Sequence, residues 1–162
     1  EAWGIGLPDY PVLKQNEATA EYEVWLGGDT WNAWSAYWIN ETFNADPELA
    51  KIFQDKRFRQ ALSLAINRNE INEKTLLGNG TPTQVTVWNK ADYFVQEYAD
   101  AFIEYDVARA NALLDEMGLT KKDAEGFRTK LDGQPMTVII DVVDDMPHWV
   151  PATELVKSYW MP

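Results

Sequence analysis

The run Phe53-Gln54-Asp55-Lys56-Arg57-Phe58-Arg59-Gln60-Ala61-Leu62-Ser63-Leu64-Ala65-Ile66-Asn67-Arg68 carries the clearest periodicity in the chain. Phe58, Ala61, Leu62, Ala65 and Ile66 recur at i, i+3, i+4, i+7 and i+8, one apolar stripe of a helix, with Arg57, Arg59 and Gln60 left for the wet face. Asp55 stands ahead of the stripe as a cap. Asn67 restarts the chain as a second cap, with Glu70 at the capping-box position, and predicts a further helix through Ile71 to residue 77, stopped by Gly78-Asn79-Gly80. Just upstream, Asp46 and Pro47 supply a cap and a first-turn proline for a helix that buries Leu49, Ile52 and Phe53.

Outward from this helical centre the pattern changes. Residues 22–26 alternate in strand fashion and stop at Gly27-Gly28-Asp29, and residues 34–43 form a second β-rich run. After a turn at residues 8–11, residues 12–20 are weakly helical. Residues 81–89 read as an extended loop, and a helix is expected near 91–101. Asp106 caps a stronger helix whose buried stripe is Val107, Ala110, Leu113, Leu114 and Met117, with Gly118 as its left-handed stop. Residues 127–130 and 136–143, joined through Asp132-Gly133, predict a hairpin with a type I′ turn. Pro147 and Pro151 lead into a last helix with Ala152, Leu155, Val156 and Tyr159 on one face. The sum is an α/β fold, a mixed sheet formed by residues 22–26, 35–43 and 136–143 and flanked by helices.

The 162 residues predict a single domain with one core and no need of covalent staples. The absence of cysteine excludes thiol nucleophiles, iron–sulfur clusters and cysteine-ligated zinc. Asp and Glu number 26 against 14 Lys and Arg, a net charge of −12 that repels phosphate backbones, so nucleic acid is not an expected partner. No apolar run approaches the roughly 20 residues that a membrane-spanning helix needs. The chain begins at Glu1 and ends at Met161-Pro162 directly behind a helical pattern, which suggests a fragment of a longer protein.

No catalytic constellation stands out. The only histidine, His148, lies between Pro147 and Trp149 at a helix entrance. Gly4-x-Gly6 and Gly78-x-Gly80 lack the third glycine and the strand-to-helix setting of a dinucleotide fingerprint and read as turns. Asp123-Ala124-Glu125-Gly126 imitates the middle of a calcium loop, but Lys121 would occupy the first ligand position, so no metal site is expected. Asp144-Asp145 reads as a cap for the last helix before it reads as an acid pair.

The sharper feature is aromatic. The chain holds eight Trp, seven Tyr and six Phe, and Trp25, Trp31, Trp34, Tyr37, Trp38 and Phe43 crowd one stretch of it. These rings can be core and cross-strand pairs, or they can wall a cleft in which rigid rings stack on ligand while Asn and Gln amides orient it. In an extended strand Trp34 and Trp38 share one face, and Tyr37 and Ile39 the other. Ile39 suits a core better than a polar ligand, which turns Trp34 and Trp38 toward the cleft.

Two stretches together resemble the extracellular solute-binding proteins of family 5, the dipeptide/oligopeptide-binding class that serves ABC importers. One is Phe53 to Arg68, continuing through Glu70-Ile71 and Gly78-x-Gly80-x-Pro82. The other is Glu104-Tyr105-Asp106, Ala108 to Gly118, Asp123 to Phe127 and Asp132-Gly133-Gln134-Pro135. Tyr37-Trp38-Ile39-Asn40 fits the family's aromatic strand, and order and spacing agree from about Tyr22 onward. Val107 departs from the proline that the family places there. Family members are several times longer and two-lobed, so the resemblance implies part of one lobe of a type II periplasmic-binding-protein-like fold, without the acidic residue that grips a peptide's amino terminus. It further implies ligand capture by hinge closure, an ABC permease as partner, a periplasmic or extracellular location with a lipid anchor left open, no catalysis and no cofactor, and a monomeric fragment. The expected cleft wall is Trp31, Trp34, Trp38, Asn40, Gln84 and Trp88. It is uncharged, which leaves peptide and oligosaccharide both open as ligands. The rival class is a carbohydrate-binding module or a carbohydrate-processing enzyme domain.

Overall fold

A computed structural model describes residues 5–27 and 33–162, which fall into two compact units, one within Glu1–Trp31 and one within Asn32–Pro162. In the first unit a short 3-10 turn, Leu7–Asp9, leads into helix α1, Tyr10–Ala20, which ends on Glu21 in the left-handed region at φ 55°. The chain then folds back on α1: the Tyr22 hydroxyl donates to the Leu13 carbonyl at 2.7 Å, and the Val24 N–H donates to Glu17 Oε1 at 2.6 Å.

The second unit is helical at its centre. Helices α2 (Pro47–Gln54), α3 (Lys56–Leu64) and α4 (Arg68–Leu76) follow one another, each opened by the expected cap. Asp46 accepts from the N–H groups of Glu48 and Leu49, Asp55 from that of Arg57, and Asn67 from that of Glu70. These bonds satisfy N–H groups that a helix start leaves without intrahelical partners, so the three breaks are set locally. A single-turn helix α5, Gln96–Asp100, occupies part of the stretch expected to be helical, and α6 (Val107–Glu116) starts at Asp106 and gives way to Gly118 at φ 84°. The last helix, α7, spans Trp149–Trp160.

Helix α3 is wrapped on two sides. Phe58 joins Leu49, Ile52, Phe53 and Leu119 in one apolar cluster, against which Leu62, Leu114 and Met117 pack. Ala61 and Leu64 face a second cluster with Ala110 of α6, closed by Ala65, Phe102 and Leu113. Leu64, absent from the predicted stripe, is fully buried, while Val107, predicted to be buried, is exposed at the first position of α6. Arg57 and Arg59 are not merely solvated: they donate to the carbonyls of Glu116 and of Phe53 and Gln54, tying helix ends together.

The expected mixed sheet does not appear among the described residues. Residues 22–26, 36–40 and 136–143 lie in neither helix nor ladder, residues 41–42 form a turn, and the β-bridges found elsewhere among the described residues are isolated ones, Lys122 with Arg128 and Thr129 with Pro135. Burial nonetheless alternates with period two: Met136, Val138 and Ile140 are half-buried while Thr137, Ile139 and Asp141 are exposed. Ile39, Phe43, Met136 and Val138 all lean on the Phe58 cluster. Side-chain packing on one face is enough to hold a segment extended, whereas a ladder also needs a neighbouring strand about 4.8 Å away. The hairpin turn also differs from expectation. Gly133 has φ 82°, but Asp132 is not in the left-handed region, and the bonds Gly133 N–H to Lys130 O and Lys130 N–H to Gln134 O mark a type I turn with a glycine bulge. Asp144 and Asp145 do not cap α7, since His148 occupies that position without a side-chain cap bond.

One ion pair bridges distant parts of this unit. Lys130 Nζ lies 2.6 Å from Asp46 Oδ2, while Asp46 Oδ1 caps α2. The lysine hydrogen bond first, and the cap N–H bonds with it, hold the Asp46 carboxyl below its usual range. A depressed folded-state pKa contributes stability above the unfolded value, about 4, and that contribution disappears as pH falls through the folded value. Asp46→Asn keeps a capping oxygen but removes the charge. Its melting temperature should lie below that of the parent at pH 7, and the gap should close on acidification below about pH 4; an equal gap at both ends of the scan would assign the loss to packing instead.

Candidate functional site

The segment 33–40 is held by α7 through Trp34 and Tyr37. The Trp34 carbonyl accepts from Trp149 Nε1 at 2.6 Å and from His148 Nε2 at 3.0 Å, and the Trp34 ring tilts over the imidazole at a centroid distance of 4.8 Å. His148, itself buried, thus serves as a strut. Further along α7, the Thr153 hydroxyl donates to the Trp149 carbonyl, so its oxygen accepts from Tyr37, whose own oxygen takes the Ser35 proton. The Tyr37 ring also meets Trp160 edge-on at 6.2 Å. Tyr37 and Ile39 are thereby the inward residues of the segment, and Trp34, Trp38 and Asn40 are the outward ones.

Trp38 is 77% exposed, unusually open for an indole, and Trp34 is 40% exposed. Asn40 accepts from the Thr42 N–H at 3.1 Å and the Thr42 hydroxyl at 2.9 Å through the same Oδ1, a local Asx turn that leaves its NH2 group toward solvent. Trp31 lies outside the described residues.

The other two expected wall residues stand on the loop after α4. Asn72 clamps its start, accepting the Gly80 N–H at 2.7 Å and donating to the Gly80 carbonyl at 2.9 Å. A Cβ on Gly80 would come within 2.8 Å of the Asn72 amide oxygen and 2.9 Å of Leu76 Cδ1, so a larger residue there would push these side-chain ends aside and disturb the clamp. Gln84 then turns inward. Its NH2 group donates to Ser63 Oγ at 2.7 Å and to the Ala101 carbonyl at 2.8 Å, which occupies both amide protons. Gln84 therefore offers no free N–H to a ligand, whatever its side-chain carbonyl does. Trp88, four residues on, is 42% exposed, with Lys90 Nζ 5.7 Å from its ring centroid.

Trp34, Trp38 and Asn40 thus form one group along a segment that α7 holds through Trp34, and Gln84 and Trp88 another on a loop that α3 and the segment after α5 hold through Gln84. Among the described residues no hydrogen bond or aromatic pair joins the two groups. What they share is chemistry: exposed indoles, suited to stacking and to van der Waals contact. Among the described residues no cluster of three or more His, Asp or Glu is placed to hold a metal ion, and no helix is long and apolar enough to cross a membrane. The periodicity of the sequence missed Ser63, which bonds Gln84 directly, and Arg68, which bonds Ser63, although both lie in the Phe53 to Arg68 stretch that carries the family resemblance.

Residues 2–161 match the family model described as bacterial extracellular solute-binding proteins, family 5 Middle. Among curated proteins the chain is similar to a probable ABC transporter-binding protein of Deinococcus radiodurans, 32% identical over 88 residues, covering 52% of this chain and 15% of that protein. It is also similar to the oligopeptide-binding protein OppA of Lactococcus lactis, 30% identical over 86 residues, 53% of this chain and 14% of that one. Among solved structures it resembles an oligopeptide-binding protein OppA with a TM-score of 0.73 and 35% identity, over 96% of this chain and 24% of that one. The chain spans about a quarter or less of each of these proteins.

Proposed function

Since this chain belongs to the bacterial extracellular solute-binding proteins of family 5, we propose that it forms part of one lobe of a longer, two-lobed substrate-binding component of an ABC importer, working outside the cytoplasm and capturing peptides. The observation that carries this reading is the likeness to an oligopeptide-binding protein, which runs through 96% of the chain at 35% identity. Ligand contacts both lobes and stabilises their closed arrangement, and a membrane permease reads that closed state; a ligand shifts the balance only by binding the closed form more tightly than the open one. No covalent step is needed, and the full-length protein is expected to release unchanged what it binds.

The lobe contributes a wall on which Trp34, Trp38, Asn40 and Trp88 meet the ligand. Indole faces accept peptide side chains of many kinds, because stacking and apolar contact do not depend on one hydrogen-bonding pattern. The uncharged character of these residues favours a second reading, an oligosaccharide ligand stacked on the same rings, with the charges for peptide termini having to come from the other lobe.

The deciding experiment is mass spectrometry of the full-length protein purified without denaturation, with its bound molecules released and identified. Peptides of a few residues are expected. Oligosaccharides would replace the first reading by the second, and a metal chelate or a lone amino acid would contradict both. Incubation with peptides and glycosides should leave them intact; turnover would move the protein into the class of carbohydrate-processing or peptide-cleaving enzymes.

A further inference from the structure

Three polar side chains meet inside an apolar part of the second unit. Ser63 sits on α3 between half-buried Leu62 and fully buried Leu64. Its hydroxyl donates to the Phe102 carbonyl at 2.8 Å and accepts from Arg68 Nη2 and Gln84 Nε2, each at 2.7 Å. One proton and two lone pairs are all that a hydroxyl has, so Ser63 is saturated. Arg68 Nη1 reaches the Ser63 carbonyl at 2.9 Å and the Ile103 carbonyl at 3.3 Å. Its guanidinium is thus met by carbonyls and a hydroxyl, while the nearby carboxylate of Glu104 is bonded to Arg109. Burial pulls the Arg68 pKa below the ordinary arginine value, and the charge of Glu104 works in the opposite direction.

The segment that receives these bonds is itself held in a costly form. Phe102 has φ 56°, a conformation that L side chains other than Asn and Asp rarely adopt and that persists only where the surroundings over-determine it. Here they do so: the carbonyls of Ala101, Phe102 and Ile103 each accept a side-chain bond from the Ser63–Arg68–Gln84 group. Just before them the Ala99 carbonyl accepts from the Gln84 N–H and the Thr83 hydroxyl. Gln84 is therefore pinned through main chain and side chain at once, and the exposed Trp88 follows it within one short stretch of loop.

We propose that Ser63, Arg68 and Gln84 form a positioning cluster that sets the direction in which Trp88 is presented to the ligand. The proposal rests on the reading of Trp88 as part of the ligand wall. None of the three touches ligand; they act through the loop, and Gln84, which composition alone would place on the wall, acts from behind it.

The test uses the full-length protein labelled with fluorotryptophan, the Trp88 line being assigned by its loss in Trp88→Phe. Each variant is compared at a temperature where circular dichroism finds it fully folded. In Ser63→Ala the Trp88 line should shift or broaden while the lines of Trp34 and Trp38 stay in place, and affinity for a pool of synthetic tetra- and pentapeptides should fall about fivefold to tenfold, the scale of one ordinary hydrogen bond. Trp88→Ala should lower affinity by at least as much, and adding Ser63→Ala to it should lower it no further, because the cluster acts only through that ring. If Ser63→Ala does not fold, Gln84→Met, which frees the loop but leaves Ser63 and Arg68 bonded, should give the same pattern. An unmoved Trp88 line, or affinity losses that add in the double variant, would overturn the positioning role. Unchanged affinity in Trp88→Ala would instead remove Trp88 from the ligand wall, and the cluster's effect on affinity with it.

Discussion

Phe58→Ala should lower the free energy of unfolding by about 3–5 kcal/mol, the largest single effect expected from any side chain in the second unit. Phe58 is only 2% exposed, stacks near-parallel on Phe53 at 5.8 Å, and Phe53 in turn meets Phe43 at 5.6 Å. Truncation to alanine removes the transfer free energy of a benzyl group and also opens a cavity. The walls of that cavity come from α2, α3, the residues just after α6 and the non-helical segments 39–43 and 136–138, which depend on this cluster because no ladder holds them among the described residues. Local loosening of these segments should accompany the global loss. Denaturant unfolding followed by tryptophan fluorescence measures the first, and hydrogen exchange at residues 39–43 and 136–138 the second. A loss below about 1 kcal/mol, the scale of an exposed position, would mean that the cluster is not the centre of the unit.

Trp38→Ala should weaken ligand binding by the full-length protein by about 1–3 kcal/mol, on the order of five- to 150-fold in Kd, and leave the fold intact. The asymmetry follows from exposure. With 77% of Trp38 open to solvent, few contacts within this unit are lost on truncation, so stability should change by less than about 0.5 kcal/mol. A ligand that covers the ring would lose the whole of that contact. Tyr37 is the internal control: its hydroxyl and ring are engaged by Thr153 and Trp160, so Tyr37→Ala should destabilise the fold at little cost in affinity per folded molecule. Calorimetric titration with the ligand recovered from the native protein, beside thermal unfolding, separates the two. The reverse pattern, with Trp38→Ala destabilised at unchanged affinity, would place Trp38 in a buried contact of the longer protein and make Tyr37 the residue to test.

The candidate site was half legible from the sequence. The alternation in Tyr37-Trp38-Ile39-Asn40 separates an inward from an outward set without any coordinates, because successive side chains of an extended segment must point to opposite sides. Gln84 was not legible in the same way. An amide in a loop of small and β-branched residues looks free to orient a ligand, and only the arrival of Ser63 and Ala101, respectively 21 and 17 residues away, turns it inward. Arg57 and Arg59 illustrate the same limit: on the helix they belong to the polar face, yet the carbonyl ends of α2 and α6 come close enough to engage them.

By itself the sequence determined where the helices begin, through Asp46, Asp55, Asn67 and Asp106, since each cap bonds an N–H two or three residues ahead and needs nothing from the rest of the chain. It determined the left-handed stop at Gly118, because a missing Cβ is a property of the residue alone. Tertiary structure alone decided that α3 is buried on a second side through Leu64, that the 130–134 turn carries a glycine bulge in place of the tighter turn that Asp-Gly allows, and that extended segments pack by their faces without a ladder among the described residues. Such outcomes depend on groups brought from distant positions, as Lys130 is to Asp46 across 84 residues, and local propensity is too weak to specify which distant group arrives.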